Sequence, residues 1–513
     1  MTKAQAVIEI GSTGIRLLVA DIKKENTFQA QTDIIDKSEF PVALGRDVFT
    51  TGAIKRETLI QSINILNRYA EQLKAWGISQ EETTVIATSA VREANNRDPF
   101  VDRVRVKTGF TVRVIDGIEE NRLMYIAVKE ALRDKQFSTE KSDAIIMEIA
   151  GGTTELMLLS RGRMVAAHSM RLGTVIIEQK AHSLLGNLED ARRYVEEFVR
   201  STKATLSTET DLKKLEMFIA ISGDIKIAAK EAGLELSPFL WEITRSQFED
   251  FVEKTRHFTL DEVMAKFALN YQDAQSFQIS LMAYDLFIKI TGVQNIIVPD
   301  TSIREGLLIS HMKRTDEELQ TSFSEQVVAS AKTLLSKYQG DEKHAEYVRR
   351  TSLKIFDAMK NELGLDKHAR MLLEVSSILH DIGMFIRAQD HNMHSKYIIE
   401  NSEIFGLTHE DITILASIAA YHKGTKLPMN DPEIKMLPRH TRMTILKLSA
   451  ILRLSDAFDR GHQQRLKDFN ISFAKDSITF RVKGTNNLAL EKLAVAEKGG
   501  LFESVFGYKI VLV

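Results

Sequence analysis

The chain has 513 residues, too long for a single hydrophobic core, so we expect about three or four domains. It is 44% hydrophobic and 27% charged, as is typical of a soluble globular protein, and its net charge of −2 provides no overall positive field for DNA or a membrane surface. The lack of cysteine excludes disulfides, thiol nucleophiles and sulfur-bound metals, so His, Asp and Glu must hold any metal ion.

The N-terminal run lacks the features of a signal peptide. No segment reaches the roughly 18 to 20 apolar residues that a membrane span needs. We therefore expect a cytoplasmic protein that binds neither DNA nor membrane.

The first predicted elements are two β-rich runs joined by a tight turn, AVIEIGSTGIRLLVADI at residues 6–22. Glu9 lies near the end of the first run, and the turn contains Gly11, Ser12 and Thr13. Small side chains let backbone N–H groups approach an anion closely, and the hydroxyl groups add donors. A carboxylate beside such a turn would repel bare phosphate, so we expect a cation between them.

Further along, apolar residues at helical spacing predict a helix at 55–76, and β-branched residues predict strands at 83–88 and 111–115. Alternating strands and helices favour mixed sheets covered by helices. The stretch AIIMEIAGGTTELMLLS at 144–160 then repeats the opening pattern. The repeated positions are Glu148, Gly151, Gly152 and Thr153, followed by a further acid, Glu155. One such turn alone is more often an ordinary hairpin, but the repeat predicts duplicated domains that face each other and grip a chain of phosphates.

These motifs resemble those of the exopolyphosphatase / guanosine pentaphosphate phosphohydrolase family, within the sugar kinase–Hsp70–actin superfamily. The family patterns Asp-Ile-Gly-Ser-Asn-Ser and Asp-Ile-Gly-Gly-Gly-Ser-Thr-Glu resemble residues 9–14 and 148–155. The segments at 87–94, 117–123 and 303–308 resemble the family's Thr-x-x-x-Arg, Gly-x-Glu-Glu-Ala-Arg-Leu and Leu-Arg-Glu-Gly motifs. The matches come in family order and span residues 6–310.

The resemblance implies that Glu120 is the catalytic base that activates water against the terminal phosphorus, with Mg²⁺ or Mn²⁺ as cofactor. The implied cleft metal ligands are Glu9, Glu148 and Glu155. The implied phosphate-binding residues are Gly11, Ser12, Thr13, Arg92, Gly151, Gly152, Thr153 and Gly223. The simpler interpretation of Glu119 and Glu120 is a solvated helix start, where acids are favoured without any catalysis.

The chain departs from the family pattern at several positions. Glu9 and Glu148 replace aspartates, Ala150 replaces a glycine, and Gly223-Asp224 stands where many members have Gly-Thr. Each replaced carboxylate lies one methylene further out, and Asp224 adds an acid beside the phosphate. These changes motivate an alternative hypothesis, in which the cleft senses a nucleotide or polyphosphate without hydrolysing it.

Residues 311–465 show helical periodicity and a concentration of histidines. His344, His380, Asp381 and Asp456 resemble the ligand pattern of the HD phosphohydrolase superfamily. Likewise, His394 and His422 resemble the additional histidines of members that bind two metals. One hypothesis is a working HD phosphohydrolase with a regulatory actin-like half. The other is a relic domain that serves dimer packing and guides long polyphosphate.

Residues 466–513 predict a small β-β-α-β tail, with FNISFAKDSITFRV as two strands, NLALEKLAVA as a helix and YKIVLV as a last strand. We therefore predict an α/β protein of two actin-like (ribonuclease H-like) domains at 1–128 and 129–310. An all-helical HD-type domain at 311–465 and a small α+β domain at 466–513 follow them.

The predicted function is a phosphoanhydride hydrolase of the stringent response. It would release the terminal phosphate of polyphosphate or the 5′ γ-phosphate of guanosine pentaphosphate, and guanosine tetraphosphate is a further implied ligand. The sequence does not choose between these substrates, because both present a terminal phosphoanhydride to the same groups. The resemblance also implies a homodimer.

Overall fold

The computed structural model describes residues 3–22, 32–133, 142–184, 188–312, 317–423, 429, 431–482 and 488–513. The chain forms two compact units, Met1–Thr321 and Ser322–Val513. The domain boundaries predicted within each unit stay predictions. Within the described ranges, no helix has both the length and the apolar content needed to cross a membrane.

The first sheet of unit 1 contains the predicted hairpin and both predicted strands that follow it. Its strands are β1 (Lys3–Ile10), β2 (Gly14–Ile22), β3 (Thr32–Pro41), β4 (Thr83–Ala87) and β5 (Val112–Val114). Their order is β3-β2-β1-β4-β5, with β1 antiparallel to β2 and parallel to β4. Val7, Ile8 and Leu17 are completely buried, so the strands around the turn belong to a core rather than to an exposed hairpin.

In the part of the chain that the structure describes, five helices accompany this sheet, and the helix expected at 55–76 is confirmed as the second of them. They are α1 (Leu44–Thr51), α2 (Arg56–Ala75), α3 (Ser89–Glu93), α4 (Arg97–Thr108) and α5 (Gly117–Ala131). Leu66, Tyr69 and Leu73 of α2 recur at helical spacing and are buried in the core of this sheet. The Asp116 carboxylate caps α5 by accepting a hydrogen bond from Glu119 N at 2.8 Å.

The second sheet repeats the topology of the first. Its strands are β6 (Ala144–Ile149), β7 (Thr154–Ser160), β8 (Arg163–Met170), β9 (Met217–Ile221), β10 (Leu234–Ser237), β11 (Leu240–Thr244) and β12 (Asn295–Pro299). Within the order β10-β11-β12-β9-β6-β7-β8, the five strands β8-β7-β6-β9-β12 correspond to β3-β2-β1-β4-β5. The duplication inferred from the two glycine turns is therefore present in the strand order.

Helices again accompany the sheet. They are α6 (Thr174–Leu184), α7 (Leu188–Leu206), α8 (Gly223–Ala232), α9 (Arg245–Arg256), α10 (Leu260–Phe267), α11 (Tyr271–Ile290) and α12 (Ile303–Met312). Phe277, Tyr284 and Phe287 of α11 are fully buried, and the last ten residues of that helix are mostly apolar. A helix so apolar on most of its surface lies inside a domain rather than on its surface.

Unit 2 is mainly helical, as expected for residues 311–465. Its helices are α13 (Glu317–Lys337), which begins before the boundary, α14 (Glu342–Ala358), α15 (Lys360–Leu363), α16 (Lys367–Leu379), α17 (His391–Glu400), α18 (His409–Tyr421), α19 (Pro432–Met436) and α20 (Arg439–Ala457). A short 3₁₀ helix, Ile382–Phe385, follows α16. Of the histidines discussed below, His344 lies in α14 and His391 in α17, while His380 and His422 directly follow α16 and α18.

The tail of unit 2 contains the predicted strands and helix, together with one helix that the sequence analysis missed. Its elements are β13 (Phe469–Phe473), β14 (Ser477–Val482), α21 (Ala489–Lys498), α22 (Gly500–Phe506) and β15 (Lys509–Leu512). The sequence Gly499-Gly500 resembles a loop, but α22 begins there because Leu501 and Phe502 are buried in the core. Phe458, which directly follows α20, and Phe480 of β14 belong to the same hydrophobic cluster, so the tail and the helices share one core.

Candidate functional site

The two glycine turns of unit 1 contact each other. The first turn closes with a hydrogen bond from Gly11 N to Gly14 O at 2.9 Å. A Cβ atom at Gly151 would lie 2.9 Å from Ser12 Cβ and 3.0 Å from Thr13 Cγ2. The side chain that glycine lacks would therefore press into the opposite turn. This close approach explains the glycine and brings together the two anion-binding turns predicted from the sequence.

A third segment joins this contact from the start of α3. Ser12 Oγ lies 3.1 Å from Ser89 Oγ, and both serines are buried. A Cβ atom at Gly152 would lie 2.5 Å from Ser89 Oγ and 2.5 Å from Phe49 Cζ. Thr153 is also buried, with 4% of its surface exposed. Four small residues of the predicted phosphate-binding set therefore lie close together around Ser89, namely Ser12, Thr13, Gly151 and Gly152.

Two predicted carboxylate ligands lie at the ends of strands beside the turns. Glu9, in β1, contacts Arg16 Nη1 at 3.4 Å and Arg304 Nε at 3.3 Å. Burial raises the pKa of Glu148 to about 8, and the negative charges of Glu9 and Glu120 add to the rise. A group of mutually repelling carboxylates is therefore held in a partly dry cleft, where a cation would relieve the repulsion.

The two acids at the start of α5, Glu119 and Glu120, have different surroundings. Glu119 pairs with the exposed Arg113 at 2.5 and 2.6 Å, and because only 15% of its side chain is exposed it is partly rather than fully solvated. Glu120 has only 5% of its surface exposed and contacts the guanidinium of Arg92. Burial raises the pKa of Glu120 to about 7, although Arg92 opposes the rise. Such a carboxylate can accept a proton near neutral pH.

Glu155, the third predicted cleft ligand, has a different environment. It is 1% exposed, and its two oxygens accept hydrogen bonds from Asn121 Nδ2 at 2.9 Å and Ser169 Oγ at 2.7 Å. Burial, followed by the nearby charge of Glu120, holds the pKa of Glu155 well above its usual range. Because Asn121 follows Glu120 in α5, these hydrogen bonds help to position the base candidate. The role of Glu155 as a metal ligand stays a prediction.

Gly223 and Asp224 begin α8, the helix that follows β9 of the second sheet. Ser222 Oγ caps the helix by accepting a hydrogen bond from Ile225 N at 3.2 Å. Gly223 is exposed, and a Cβ atom there would meet no described atom within 4 Å. Burial raises the pKa of Asp224 to about 7. The predicted phosphate-binding position is therefore open, with an easily protonated acid beside it.

Three residues that support the cleft were not singled out from the sequence. Tyr284 OH accepts a hydrogen bond from Ile149 N at 3.0 Å and donates one to Ile221 O at 2.8 Å, which ties α11 to β6 and β9. The other two are Arg16 and Arg304, the cationic partners of Glu9. A lone tyrosine inside an otherwise apolar run of α11 was the available signal for the first. For the arginines, the signal was their position, with Arg304 inside the 303–308 motif and Arg16 two residues after the 9–14 motif.

In unit 2, all four predicted HD-type residues come together. His344 Nε2 and His380 Nε2 face each other at 3.3 Å. Their other ring nitrogens are engaged, His344 Nδ1 by Asp459 Oδ2 at 2.9 Å and His380 Nδ1 by Ser377 O at 3.0 Å. Asp381 Oδ2 lies 3.8 Å from His344 Nε2, and Asp456 Oδ1 lies 3.5 Å from the same atom.

Asp381 also belongs to a second group. Its Oδ1 lies 3.1 Å from both His391 Nε2 and His422 Nε2, which are 3.2 Å apart. The Nδ1 atoms of these rings lie 2.9 Å from Ala388 O and 2.6 Å from Ala419 O, so they can donate to carbonyls. The histidine of α17 in this group is His391, whereas His394, the residue suggested by the sequence, is not in either group of candidate ligands among the described residues.

Two rings of this histidine cluster have pKa values that shift in opposite directions. Burial alone lowers the pKa of His344, but hydrogen bonds with Asp456 and Asp459 outweigh it and raise the pKa to about 9. Burial lowers the pKa of His380 to about 4, so that ring remains neutral. Histidines whose outer nitrogens are held and whose inner nitrogens converge have the arrangement found around protein-bound metal ions.

Comparisons with known proteins agree with this architecture. Residues 18–315 match the model of the Ppx/GppA phosphatase family, and residues 328–497 match the model of Ppx/GppA phosphatase domain III. A guanosine-5′-triphosphate,3′-diphosphate pyrophosphatase from Aeromonas hydrophila subsp. hydrophila is 22% identical over 486 residues, which cover 92% of this chain and 91% of that protein.

Solved structures show the same fold. A crystal structure of an exopolyphosphatase from Cytophaga hutchinsonii ATCC 33406 has a TM-score of 0.54 and 20% identity, covering 61% of this chain and 98% of that chain. A Ppx/GppA family member from Aquifex aeolicus has a TM-score of 0.50 and 21% identity, and the match covers 62% of this chain and 100% of that chain. The predicted mixed α/β fold with actin-like domains and a helical C-terminal region is thereby confirmed. The HD-type assignment of the helical region stays a prediction.

Proposed function

The chain belongs to the Ppx/GppA phosphatase family, and from this premise we propose that the cleft of unit 1 hydrolyses terminal phosphoanhydride bonds. The observation that carries the proposal is Glu120, a buried carboxylate with a pKa of about 7 that contacts Arg92 beside the two glycine turns. Hydrolysis of a phosphoanhydride needs a positioned, deprotonated water and neutralised phosphoryl charge. This cleft has a group for each need.

Each group has a defined part in the proposed reaction. Glu120 accepts the proton of the attacking water. Arg92 offers N–H donors to the phosphoryl oxygens, since a guanidinium can bind them in a fork. The backbone N–H groups of the glycine turns and the hydroxyls of Ser12 and Thr13 hold the phosphates further along the chain.

The cleft carboxylates suit a hard divalent ion. Glu9 and Glu148 supply oxygen ligands, and the pKa of Glu148 is raised to about 8 partly by the charge of Glu9. We propose these two as ligands of Mg²⁺ or Mn²⁺, with Glu155 as a further candidate. When bound, the ion neutralises charge on the phosphate oxygens.

We propose polyphosphate and guanosine pentaphosphate as the two substrates to test. The Aeromonas relative is named for guanosine-5′-triphosphate,3′-diphosphate and the Cytophaga structure for exopolyphosphatase activity. Both substrates end in the same phosphoanhydride, so the same groups in the cleft serve both reactions. A cytoplasmic homodimer is the assembly that the family resemblance implies.

The test compares phosphate release from long-chain polyphosphate and from guanosine pentaphosphate, with Mg²⁺ or Mn²⁺. Glu120→Gln should lower kcat by about 100-fold or more, the usual loss on removing a general base. Glu119→Gln is the matched control, because the Glu119 carboxylate pairs with the exposed Arg113. Its kcat should stay within about twofold of the wild-type value. Full activity in Glu120→Gln would exclude the proposed base. If the wild type binds both substrates and releases no phosphate, the cleft is a sensor instead.

A second candidate function belongs to unit 2, which we propose contains an HD-type metal site followed by a small α+β domain. The supporting observation is the pair of convergent groups that share Asp381, with His344 and His380 on one side and His391 and His422 on the other. Asp456 Oδ1 lies near the first group, 3.5 Å from His344 Nε2. Imidazole nitrogens and carboxylates suit Mn²⁺, Fe²⁺ or Zn²⁺. A metal held there would give the helical half its own phosphohydrolase activity.

Metal content and activity separate this candidate from the first. His391→Ala should lower Mn²⁺ affinity at least tenfold, since it removes a ligand, while His394→Ala on the same helix should leave the affinity unchanged. Phosphate release abolished by Asp381→Ala but not by Glu120→Gln would place the chemistry in unit 2. A protein that binds no transition metal would rule out this second function and leave the cleft proposal intact.

A further inference from the structure

The tail of unit 2 inserts a lysine into the histidine cluster. Lys498, the last residue of α21, contacts Asp456 Oδ2 with its ammonium group. Both residues are buried, with 9% of Lys498 and 6% of Asp456 exposed. Among the residues that the structure describes, Asp456 is the only hydrogen-bond or ion-pair partner of the Lys498 ammonium group.

Lys498 contacts Asp456, whose carboxylate would be the fourth ligand of the predicted metal site. Asp456 Oδ1 lies 3.5 Å from His344 Nε2, but Asp456 is not among the ligand atoms that converge within 4.8 Å of one another around His344, His380 and Asp381. Its other oxygen is held by the ammonium group. The fourth predicted ligand is therefore turned towards a cation that the chain supplies itself.

A buried ammonium and a metal ion compete for the same carboxylate. Taking two charges out of water is costly, so a buried lysine is retained only with a close partner. A divalent ion at His344 and His380 would have the Lys498 ammonium as a close, weakly screened, like-charged neighbour. The second group differs here. Lys423 Nζ lies 3.4 Å from the outer nitrogen of His391, and among the residues that the structure describes no lysine contacts Asp381.

We propose that Lys498 is a built-in counter-ion that competes with a divalent metal ion for Asp456. The inference rests on the metal-binding proposal for unit 2 and assigns a residue that controls it. Metal binding beside His344 then requires Lys498 to leave Asp456, which couples occupancy of that position to docking of the α21 helix of the tail.

The test measures Mn²⁺ binding to the metal-free full chain by calorimetry, with bound ions counted by electron paramagnetic resonance. Lys498→Met should bind at least one ion about tenfold or more tightly than the wild type. Lys498→Arg, which keeps the charge, should resemble the wild type. Lys492→Met is the matched control on the same helix, because its side chain is exposed, and its affinity should not change.

Double variants locate the effect. The gain of Lys498→Met should vanish when His344→Ala is added and should persist when His391→Ala is added. In the wild type, amine modification of Lys498 read by mass spectrometry should increase severalfold when Mn²⁺ saturates the protein, with Lys492 as the internal reference. This last measurement needs no variant, so it tests the competition between Lys498 and the metal ion even if Lys498→Met does not fold.

The outcomes separate the two proposals. Mn²⁺ binding that is unchanged or weakened by Lys498→Met, or Lys498 reactivity that ignores Mn²⁺, overturns the counter-ion inference alone. If neither the wild type nor any variant binds Mn²⁺, the metal site itself is excluded and the inference falls with it.

Discussion

Gly306 lies so close to the backbone of Leu123 that a Cβ atom at Gly306 would overlap the Leu123 carbonyl oxygen. Gly306 is in α12, and Leu123 lies about one helical turn after Glu120 in α5. The same α12 contains Arg304, whose guanidinium contacts Glu9. Packing of α12 on α5 therefore sets the position of the proposed base relative to the carboxylates of the cleft.

Gly306→Ala should separate these helices. The added methyl group meets backbone rather than a flexible side chain, so we expect a loss of about 1–3 kcal/mol in the free energy of unfolding. Phosphate release should fall as well, because Glu120 moves with α5. Gly500→Ala is the control, since no described atom lies within 4 Å of its Cβ position. Equal thermal unfolding of the two variants would contradict this packing argument.

The pH dependence of the reaction should report the Arg92–Glu120 contact. Arg92 lowers the pKa of Glu120, which burial raises to about 7, and the base works only when deprotonated. The acidic limb of the kcat/KM profile should therefore lie near pH 7 in the wild type. Arg92→Met should move that limb to higher pH, because the favourable charge is lost. Arg113→Met, which removes the partner of Glu119, should leave the limb in place.

The stability of the metal-free protein should depend on pH through Glu148. Its pKa is raised from 4.5 to about 8, so between these values the folded state holds a proton that the unfolded state has released. The contribution of Glu148 to stability therefore decreases as pH rises through this window. The unfolding temperature of the wild type should fall more steeply from pH 5 to 8 than that of Glu148→Gln. Parallel curves would show that Glu148 stays ionised in the folded protein.

Tyr284→Phe should destabilise unit 1 and disturb its cleft. In the buried core, the hydroxyl accepts a hydrogen bond from Ile149 N and donates one to Ile221 O. Its removal therefore leaves two backbone groups unpaired. We expect a cost of about 1–3 kcal/mol in the free energy of unfolding, together with reduced activity, because both strands end beside the site. Tyr271→Phe, at the exposed start of the same helix, should change stability by less than about 0.5 kcal/mol.

Local patterns explain why much of this protein could be predicted. The turns at Gly11 and Gly151 follow from small residues between apolar runs, and their repetition predicted two related sheets before any coordinates. The Glu119–Glu120 pair shows the limit of such patterns. A helix start favours acids at both positions, and only the packing of α5 against Arg92 decided which of the two is buried.

Contacts between distant segments explain what was missed. His391 and His394 lie three positions apart on α17, and which of them meets Asp381 depends on how that helix packs on its neighbours. Lys498 and Asp456 are 42 residues apart, and nothing in the spacing of either predicts their contact. The same holds for Tyr284, whose partners are in two different strands.

By itself, the sequence determined the duplicated glycine turns, the strands and the helix that follow the first of them, the helical character of residues 311–465 and the candidate residues for phosphate and metal chemistry, because these depend on periodicity and residue type over short stretches. Only the tertiary structure decided which carboxylates are buried together, which pKa values shift and which cation faces Asp456. Those properties depend on desolvation and on distances between side chains far apart in the chain, which only folding brings within a few ångströms of one another.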